Sequence, residues 1–545
     1  MILFEESWEV CNKVGGIYTV LSTKSKYIKE KYGDNYFLIG PYKENPEFIE
    51  LEEPKYIKEI NFELEDIKIH YGYWDIEAKP KVFLVDFKEF MEKEKNLWKY
   101  KFWEWYKIDS LKSDFTFDEP FSWSVAVGIF LEKLEKYFND VKILHAHEWL
   151  SGGTILYIKK KNLNYKTIFT IHGTVIGRSL SERNVNVFEV LDKIDPDKDS
   201  YRLGVHFKHQ LEKATVLDTD IFTTVSDNLN EEAQKIFGRK ADYITYNYIN
   251  VKEKELYYYY EIGRKWINEF LTWYFYPYYD LPENYLLIYT IGRYEPYNKG
   301  IDLFIDILKY LEENQIDTIA FIFVPYYYEG IDENIIKTYK DYINLKKYLE
   351  ENQYEIIRSL YNKKNILNYL DRIKNRNPPI VTHKTNESFI INKLKSVGLN
   401  NSKDNFVKVI YAPIYLGKDI IFNLEQEYLL PVFDFGIFLS RYEPYGYTLL
   451  EALYNFVPII ISNKTGFYRN LLNKGINHDF IISVDPYNIE NEKENILRKI
   501  IKYKNLDLYK KLEIKKQMYE ISKKYSWKDN IKEYINIYEN ILKGQ

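Results

Sequence analysis

The sequence predicts an α/β fold of two Rossmann-like domains facing each other across a cleft. Three observations predict it. Short β-branched apolar runs recur along the chain, each ending in a polar or glycine-containing loop and each followed by a longer amphipathic stretch. Continuous apolar runs of strand length suit strands buried on both faces of a parallel sheet, and their alternation with helix-length segments gives α/β units. The runs fall into two clusters, and 545 residues are too many for one ordinary core.

In the first cluster, Val141–His147 runs into Glu-Trp-Leu-Ser-Gly-Gly, Thr167–Ile171 into His-Gly, and Ile221–Val225 into Ser-Asp-Asn. In the second, Leu286–Ile291 precedes Gly-Arg, Thr318–Val324 precedes Pro-Tyr, and Val407–Tyr411 precedes Ala-Pro. Phe435–Leu439 then precedes Ser-Arg, and Pro458–Ile461 precedes Ser-Asn. The stretch around Asn250–Glu283 is rich in Tyr and Trp, lacks a clear period, and reads as the crossover between domains. The predicted domains are 1–262 and 263–525, with a helical insertion at about 333–375 and a final amphipathic helix within 526–545. Ligands of open α/β sheets bind outside the carboxyl ends of the strands, so the polar loops are the candidate site.

Composition excludes several functions. The 76 basic and 81 acidic residues are mixed along the chain, so neither nucleic acid nor a disordered acidic tail is indicated. Cys11 is the only cysteine, so no disulfide can form within the chain and a reducing cytoplasm fits. The start, Met-Ile-Leu-Phe-Glu-Glu, is acidic where a signal peptide is basic, and no apolar run reaches the roughly 18–20 residues that span a bilayer. A soluble cytoplasmic protein without membrane or nucleic-acid partners is expected.

Four motifs sit at strand ends. Ser440 to Ala452 reads Ser-Arg-Tyr-Glu-Pro-Tyr-Gly-Tyr-Thr-Leu-Leu-Glu-Ala. Proline favours the first helical turn, so the amides around Gly446, Tyr447 and Thr448 should point free N–H groups at the cleft and suit a diphosphate. Glu451, two turns on, could meet ribose hydroxyls. Gly292 to Gly300 reads Gly-Arg-Tyr-Glu-Pro-Tyr-Asn-Lys-Gly. Its arginine fork and mobile lysine suit a diphosphate, although solvated loop cations are the commoner fate. Asn12-Lys13-Val14-Gly15-Gly16-Ile17 allows close backbone approach, as would any tight turn. Thr170 to Arg178 carries His172 and Arg178; a strand-end histidine can bond a sugar hydroxyl or be merely structural. His145 and His147 share a strand face but lack a third metal ligand in the local sequence, and Asp218-Thr219-Asp220 reads as a solvated turn. The tracts Tyr257–Tyr260, Trp273–Tyr279 and Tyr326–Tyr328 could stack on sugars, though packing is the commoner use.

With these motifs in order, the chain resembles the glycogen synthase family of the animal and fungal type over nearly its whole length. The resemblance is carried by Trp8-Glu9-Val10-x-Asn12-Lys13-Val14-Gly15-Gly16-Ile17-Tyr18, Gly33-Asp34-Asn35-Tyr36, His147-Glu148-Trp149-Leu150 and Thr167-Ile168-Phe169-Thr170-x-His172. Further along it includes Phe222-Thr223-Thr224-Val225-Ser226, Gly292-Arg293-Tyr294-Glu295-x-x-Asn298-Lys299-Gly300, Pro378-Pro379-x-Val381-x-His383 and Tyr442-Glu443-Pro444-x-Gly446-Tyr447-Thr448.

The resemblance implies the GT-B arrangement, with the first domain on the acceptor side, the second on the nucleotide-sugar side, and the last helix crossing back. It implies a retaining glucosyltransferase that uses a nucleotide-glucose donor, usually UDP-glucose, an α-1,4-glucan acceptor, and neither metal nor cofactor. Position by position, it implies that Arg293 and Lys299 hold the donor diphosphate and that Arg178 approaches it across the cleft. His172 should contact the glucose and Glu443 the reacting sugar. Glu451 should bind ribose, with Asn247, Tyr445, Gly446, Tyr447 and Thr448 also on the donor, while Lys13, Gly15 and Gly16 close over it. A homo-oligomer is expected. The family's Thr-Pro-Asn-Gly-Leu-Asn stands here as Thr245-Tyr246-Asn247-Tyr248-Ile249-Asn250, and its base-stacking tyrosine falls near Gln426, with Tyr428 as a substitute. The segment Leu508–Ile521 has Lys510, Lys511, Lys515 and Lys516 where the family has arginines that sense sugar phosphate. An ordinary surface helix and a constitutively active enzyme without phosphorylatable extensions are therefore expected. Two alternatives stay open: a retaining transferase using ADP-glucose or a small acceptor, and a catalytically silent glucan-binding protein.

Overall fold

A computed structural model of the chain describes residues 1–361, 373, 375–417 and 419–543. Two sheets carry the cores. The first contains β1 (Ile2–Glu6), β2 (Tyr36–Pro41), β3 (Phe48–Glu50), β4 (Lys68–Trp74), β5 (Lys81–Asp86), β6 (Lys142–His147), β7 (Tyr165–Ile171), β8 (Ile221–Thr224) and β9 (Tyr243–Ile244). Their spatial order is β3-β4-β5-β2-β1-β6-β7-β8-β9. The second contains β10 (Leu286–Ile291), β11 (Thr318–Phe323), β14 (Val407–Ala412), β15 (Phe435–Phe438), β16 (Ile459–Ser462) and β17 (Ile481–Val484), ordered β14-β11-β10-β15-β16-β17. A small antiparallel pair, β12 (Gly330–Ile331) with β13 (His383–Lys384), lies apart. All pairs are parallel except β12–β13 and the β3-β4-β5 edge of the first sheet.

Every apolar run read from the sequence overlaps a strand. The runs are continuous because both faces are covered: β1, β6, β11 and β14 are buried at every position. β4 alternates, with Lys68, Tyr71 and Tyr73 less buried than their neighbours, so no continuous run announced it. In the first sheet the order reverses between β1 and β6, and in the second between β10 and β15. Such switch points open a crevice at the carboxyl ends of the strands. The loops leaving β1, β7, β10 and β15 contain the four motifs.

Four expectations are corrected or refined. The Tyr- and Trp-rich stretch is not an aperiodic crossover: Leu256–Phe275 is one helix of 20 residues. Aromatics on several faces hid its period, yet Leu256, Gly263, Ile267, Phe270, Leu271 and Tyr274 form a buried stripe. It packs on the second sheet's side, with Gly263 against the Tyr428 carbonyl and Trp273 edge-on to Tyr339. A boundary at 262/263 would cut this helix. The expected insertion contains helices Glu333–Glu351 and Gln353–Tyr361, while residues 362–372 and 374 lie outside the described residues. The aromatic tracts divide: Trp273, Tyr274 and Tyr279 are buried, whereas Tyr257, Tyr258, Tyr327 and Tyr328 are exposed. Helix Leu508–Lys523 is not lysine-lined only on its surface. Lys515 is buried, donates to the Phe433 carbonyl, and lies in the field of Asp434; burial pushes its pKa down to about 8.

The tyrosines at 246 and 248 have a physical account. Tyr248 is fully buried, donates to Glu533 at 2.6 Å, and meets Trp527 edge-on at 5.3 Å. Ile249 exchanges backbone bonds with Tyr525 and Trp527, both 2.9 Å. From there helix Lys532–Lys543 runs along the first sheet, where Tyr538 reaches His145 at 2.9 Å and Tyr534 covers the Lys24 ammonium. Among the described residues, no helix is long and apolar enough to cross a membrane.

Candidate active site

The second-sheet wall consists of two loops stitched together. Arg441 lies buried beneath them, donates two 2.8 Å bonds to Asp302, and donates another to the Tyr297 carbonyl at 2.6 Å. Its own N–H donates to the Asn298 carbonyl at 2.9 Å. Gly300 takes φ +66° at the start of helix Ile301–Glu313, where any Cβ would fall 2.0 Å from the Leu439 carbonyl oxygen. Only glycine lets the loops approach this closely. The result brings Lys299 onto Glu443 as a largely buried ion pair. Arg293 lies alongside, half exposed and 3.1 Å from Glu295.

Glu443 lies on extended backbone, bridged to Thr465, with its carbonyl accepting from Gly466 at 3.1 Å. The helix begins only at Tyr447, so Pro444 is not in its first turn as expected. Gly446 caps it at φ +102°, where a Cβ would meet Leu449 at 2.7 Å. No side chain caps this end, so amides near Tyr447 and Thr448 remain for an anion. The side chains of Tyr445 and Tyr447 turn elsewhere, donating to the carbonyls of Asn247 (2.5 Å) and Tyr248 (3.1 Å). Asn247 is buried and its Oδ1 has no partner among the described residues. Burial, opposed by the charge of Lys13, pushes Glu451 up to about 7.

The first-sheet wall is built differently. Glu148, directly after β6, is held at φ 66° and ψ 163°, a conformation that non-glycine residues rarely tolerate. The strained backbone turns its buried carboxylate back to accept from the His172 N–H at 2.9 Å, with Arg178 at 3.5 Å. Burial raises the pKa of Glu148, with Arg178 opposing. Arg178 belongs to helix Val175–Glu182, capped by Thr174 Oγ1, which accepts from Gly177 at 2.8 Å. Glu9 accepts from Gly15 at 2.7 Å and Tyr18 at 2.8 Å, fixing the turn that carries Lys13, Gly15 and Gly16 into helix Gly16–Tyr32. Lys13 is exposed above the Tyr18 ring.

The two walls are electrostatically crossed. Arg178 lies in the field of Glu295 and Glu443 opposite, and Arg293 in that of Glu9 and Glu148. They also touch. Ser181 donates to Asn298 at 2.7 Å, while Tyr442 accepts from the Thr174 N–H at 3.2 Å and donates to Glu232 at 2.9 Å. Burial pushes Glu232 up to about 7. Arg178, Arg293, Lys299 and Glu443 therefore converge on one crevice, with His172 behind Arg178. Lys13 and Glu451 form a second group at its edge. Asp218 and Asp220 stand at the opposite strand ends, with Asp220 accepting from the Thr167 N–H at 2.8 Å and pairing with Lys159.

Sequence reasoning missed Glu148, the Tyr442–Glu232 contact and the buried Arg441–Asp302 pair. A strand-end position drew attention to the neighbourhood of Glu148, but nothing in the local sequence signals a positive φ at a glutamate. The other two contacts join residues far apart in the chain.

Comparison with known proteins agrees with this architecture. The family model described as glycogen synthase matches residues 5–538. The chain is 29% identical over 580 residues to the Glycogen [starch] synthase of Dictyostelium discoideum, covering 97% of this chain and 65% of that one. It is 31% identical over 520 residues to that of Neurospora crassa, covering 86% and 72%. The chain thus spans about two thirds of the length of these relatives. Among solved structures, the catalytic domain of starch synthase IV from Arabidopsis thaliana superposes with a TM-score of 0.57 at 15% identity, covering 99% of both chains. Sucrose-phosphate synthase from Thermosynechococcus elongatus gives 0.52 at 12%, covering 100% and 99%. These likenesses show the fold, GT-B; the match along almost the entire sequence shows that the chain belongs to the glycogen synthase family.

Proposed function

We propose that this chain transfers glucose from a nucleotide-glucose donor, UDP-glucose in the first instance, to the non-reducing end of an α-1,4-glucan, with retention of configuration. The observation that carries this reading is the convergence of Arg178, Arg293, Lys299 and Glu443 between the two switch points. The chemical problem is to part a glucosyl carbon from a phosphate. Negative charge builds on the leaving diphosphate while the sugar becomes oxocarbenium-like. Arg293 and Lys299 stabilise that phosphate, helped by Arg178 from the facing wall and the uncapped amides at Tyr447 and Thr448. Donors fixed in advance toward developing charge are usually the largest contribution to such a rate. Lys299 exchanges its bond to Glu443 for one to phosphate, which frees the carboxylate to orient the sugar. The acceptor hydroxyl attacks from the face the phosphate leaves, and a phosphate oxygen takes its proton. Lys13 and the Gly15–Gly16 turn close over the donor, Glu451 faces the ribose, and closure excludes water that would otherwise hydrolyse it. The cations supply the electrostatics without a metal ion.

We place the boundary between the acceptor and donor lobes ahead of Leu256, since the helix from that residue packs with the donor lobe. With only lysines on helix Leu508–Lys523, one of them buried, we expect little response to glucose 6-phosphate. The deciding experiment incubates the protein with glycogen and UDP-glucose or ADP-glucose. Released nucleotide, chain growth and anomeric configuration are then measured. Transfer from ADP-glucose alone would move the donor assignment; donor binding without any transfer would favour the silent glucan-binding alternative.

A further inference from the structure

Behind the first-sheet wall runs a file of buried polar side chains that the reaction as proposed does not use. Lys24 sets its ammonium on Oε1 of Glu5, and both side chains are fully buried. The same Oε1 lies 2.9 Å from His147 Nε2, while Tyr36 donates to Oε2 at 2.6 Å. His147 Nδ1 lies 3.0 Å from His172 Nε2. Neighbouring His145 is committed elsewhere, to the Tyr538 hydroxyl at 2.9 Å and Thr170 at 2.7 Å. Glu5, His145 and His147 place ligand atoms within 4.8 Å of one another, but the Lys24 ammonium already occupies that carboxylate. A dication would have to displace it, so the cluster does not read as a metal site.

Proton positions along the file follow from one fixed end. Burial works to raise the Glu5 pKa, but Lys24, His147 and His145 together hold it well below the usual carboxylate range. Glu5 is therefore an acceptor only, and His147 must donate from Nε2. Burial lowers the pKa of His147, so it stays neutral and its Nδ1 carries a lone pair. That lone pair requires a donor, which is the Nε2–H of His172. His172 is also kept neutral, first by burial and then by His147 and Arg178. Its remaining nitrogen, Nδ1, has no hydrogen-bond partner among the described residues. A neutral imidazole protonated at Nε2 can only accept at Nδ1.

We propose that Lys24, Glu5 and His147 are positioning residues that fix His172 as its Nε2–H tautomer and so make Nδ1 an obligate acceptor for one hydroxyl of the transferred sugar. This rests on the crevice being the glucosyl-transfer site. An unconstrained histidine could swap tautomers and donate to a group that only accepts. The file removes that freedom, so the site reads the direction of a hydrogen bond as well as its presence. A deoxy sugar merely loses the bond. A fluorine at the same carbon meets the Nδ1 lone pair with its own and is rejected more strongly.

Two readouts test this. In protein labelled with ¹⁵N-histidine and free of donor, long-range ¹H–¹⁵N spectra should show His172 unprotonated at Nδ1 and protonated at Nε2 from about pH 5 to 8. His147→Phe should give a tautomer mixture. Should that variant misfold, Lys24→Met/Glu5→Met replaces the ion pair by apolar groups of similar volume, an exchange proteins often tolerate, and should give the same mixture. In the second readout, calorimetric Kd values are compared for UDP-glucose analogues that are deoxy or deoxyfluoro at each ring hydroxyl in turn. At one position the fluoro donor should bind about ten-fold more weakly than the deoxy donor, and the gap should close in the variants. A protonated Nδ1 or a tautomer mixture in the unaltered protein overturns the proposal, as does a gap that survives loss of the file. If no UDP-glucose binds at all, the functional reading and the sugar half of the proposal both fall, while the spectra still judge the tautomer.

Discussion

The two walls of the crevice reach similar ends by opposite means. The second-sheet wall carries partly exposed cations on loops whose shape is set by Gly300 and Gly446, both at positive φ. The first-sheet wall buries the carboxylate of Glu148 and takes the awkward backbone conformation there, at a residue with a large side chain. On one wall glycine absorbs the geometry, so the cations remain free to exchange partners. On the other, a strained glutamate holds Arg178 and the His172 backbone together. We infer that the Lys299–Glu443 side of the second-sheet wall is built to change partners during reaction and the Glu148–Arg178–His172 cluster of the first-sheet wall to stay put.

The largest effect tests whether the mobile wall needs a rigid base. Asp302→Ala leaves Arg441 charged and unpaired under both loops and should cost about 3–5 kcal/mol of stability in chemical denaturation. Unchanged stability would mean that the loops hold themselves. Next, Lys299→Ala or Arg293→Ala should slow transfer by about two to three orders of magnitude while the melting temperature stays near that of the parent. Near-normal rates would remove the phosphate role. The sharpest contrast comes from glycine exchanges in opposite directions. Gly446→Ala should lose about 1–3 kcal/mol, because its φ excludes a Cβ. Glu148→Gly should relieve strain and keep its stability, yet lose about ten-fold in rate as Arg178 and His172 lose their shared carboxylate. If Glu148→Gly melts much earlier, the carboxylate matters more for folding than for the site.

A smaller effect concerns the contact between the walls. Glu232 titrates near 7 in the folded chain, above its unfolded value, so the native state binds the extra proton between the two. Stability from this group is complete below the unfolded pKa and falls as pH rises toward 7, by at most about 1.4 kcal/mol per pH unit. Glu232→Gln should flatten that part of a stability–pH curve relative to the parent; identical slopes would show that Glu232 stays ionised. Smallest of all, a chelator should leave the transfer rate unchanged, and recovery of a chelated, inactive enzyme by magnesium would reopen the metal question.

The same contrast explains what could be read from sequence. Continuous runs such as Leu286–Ile291 and Thr318–Phe323 were legible because burial on both faces removes alternation. The loops after β10 and β15 were legible because glycine and proline punctuate them next to cations. The helix Leu256–Phe275 was hidden by aromatics on more than one face. The Glu5–His147 contact joins residues 142 apart through the adjacency of β1 and β6, and no local pattern records which strands become neighbours. Sequence did weigh His147, but as half of a metal pair, since its partner carboxylate lay out of view.

The return of helix Lys532–Lys543 to the first sheet bears on synthesis. Tyr534 lies over the Lys24 ammonium, Tyr538 holds His145, and Trp527 donates to Thr23 at 2.8 Å. While a ribosome is still translating the second lobe, that flank of the first lobe has nothing to cover it. The Lys24–Glu5 pair then faces water, where its attraction is weak. Domains generally fold as units in the order they emerge, but here the first to emerge waits on a helix made after the second lobe. Completion of the first lobe thus reports that translation has passed the second lobe and this helix, and a nascent chain stalled before Trp527 would present an open sheet to chaperones.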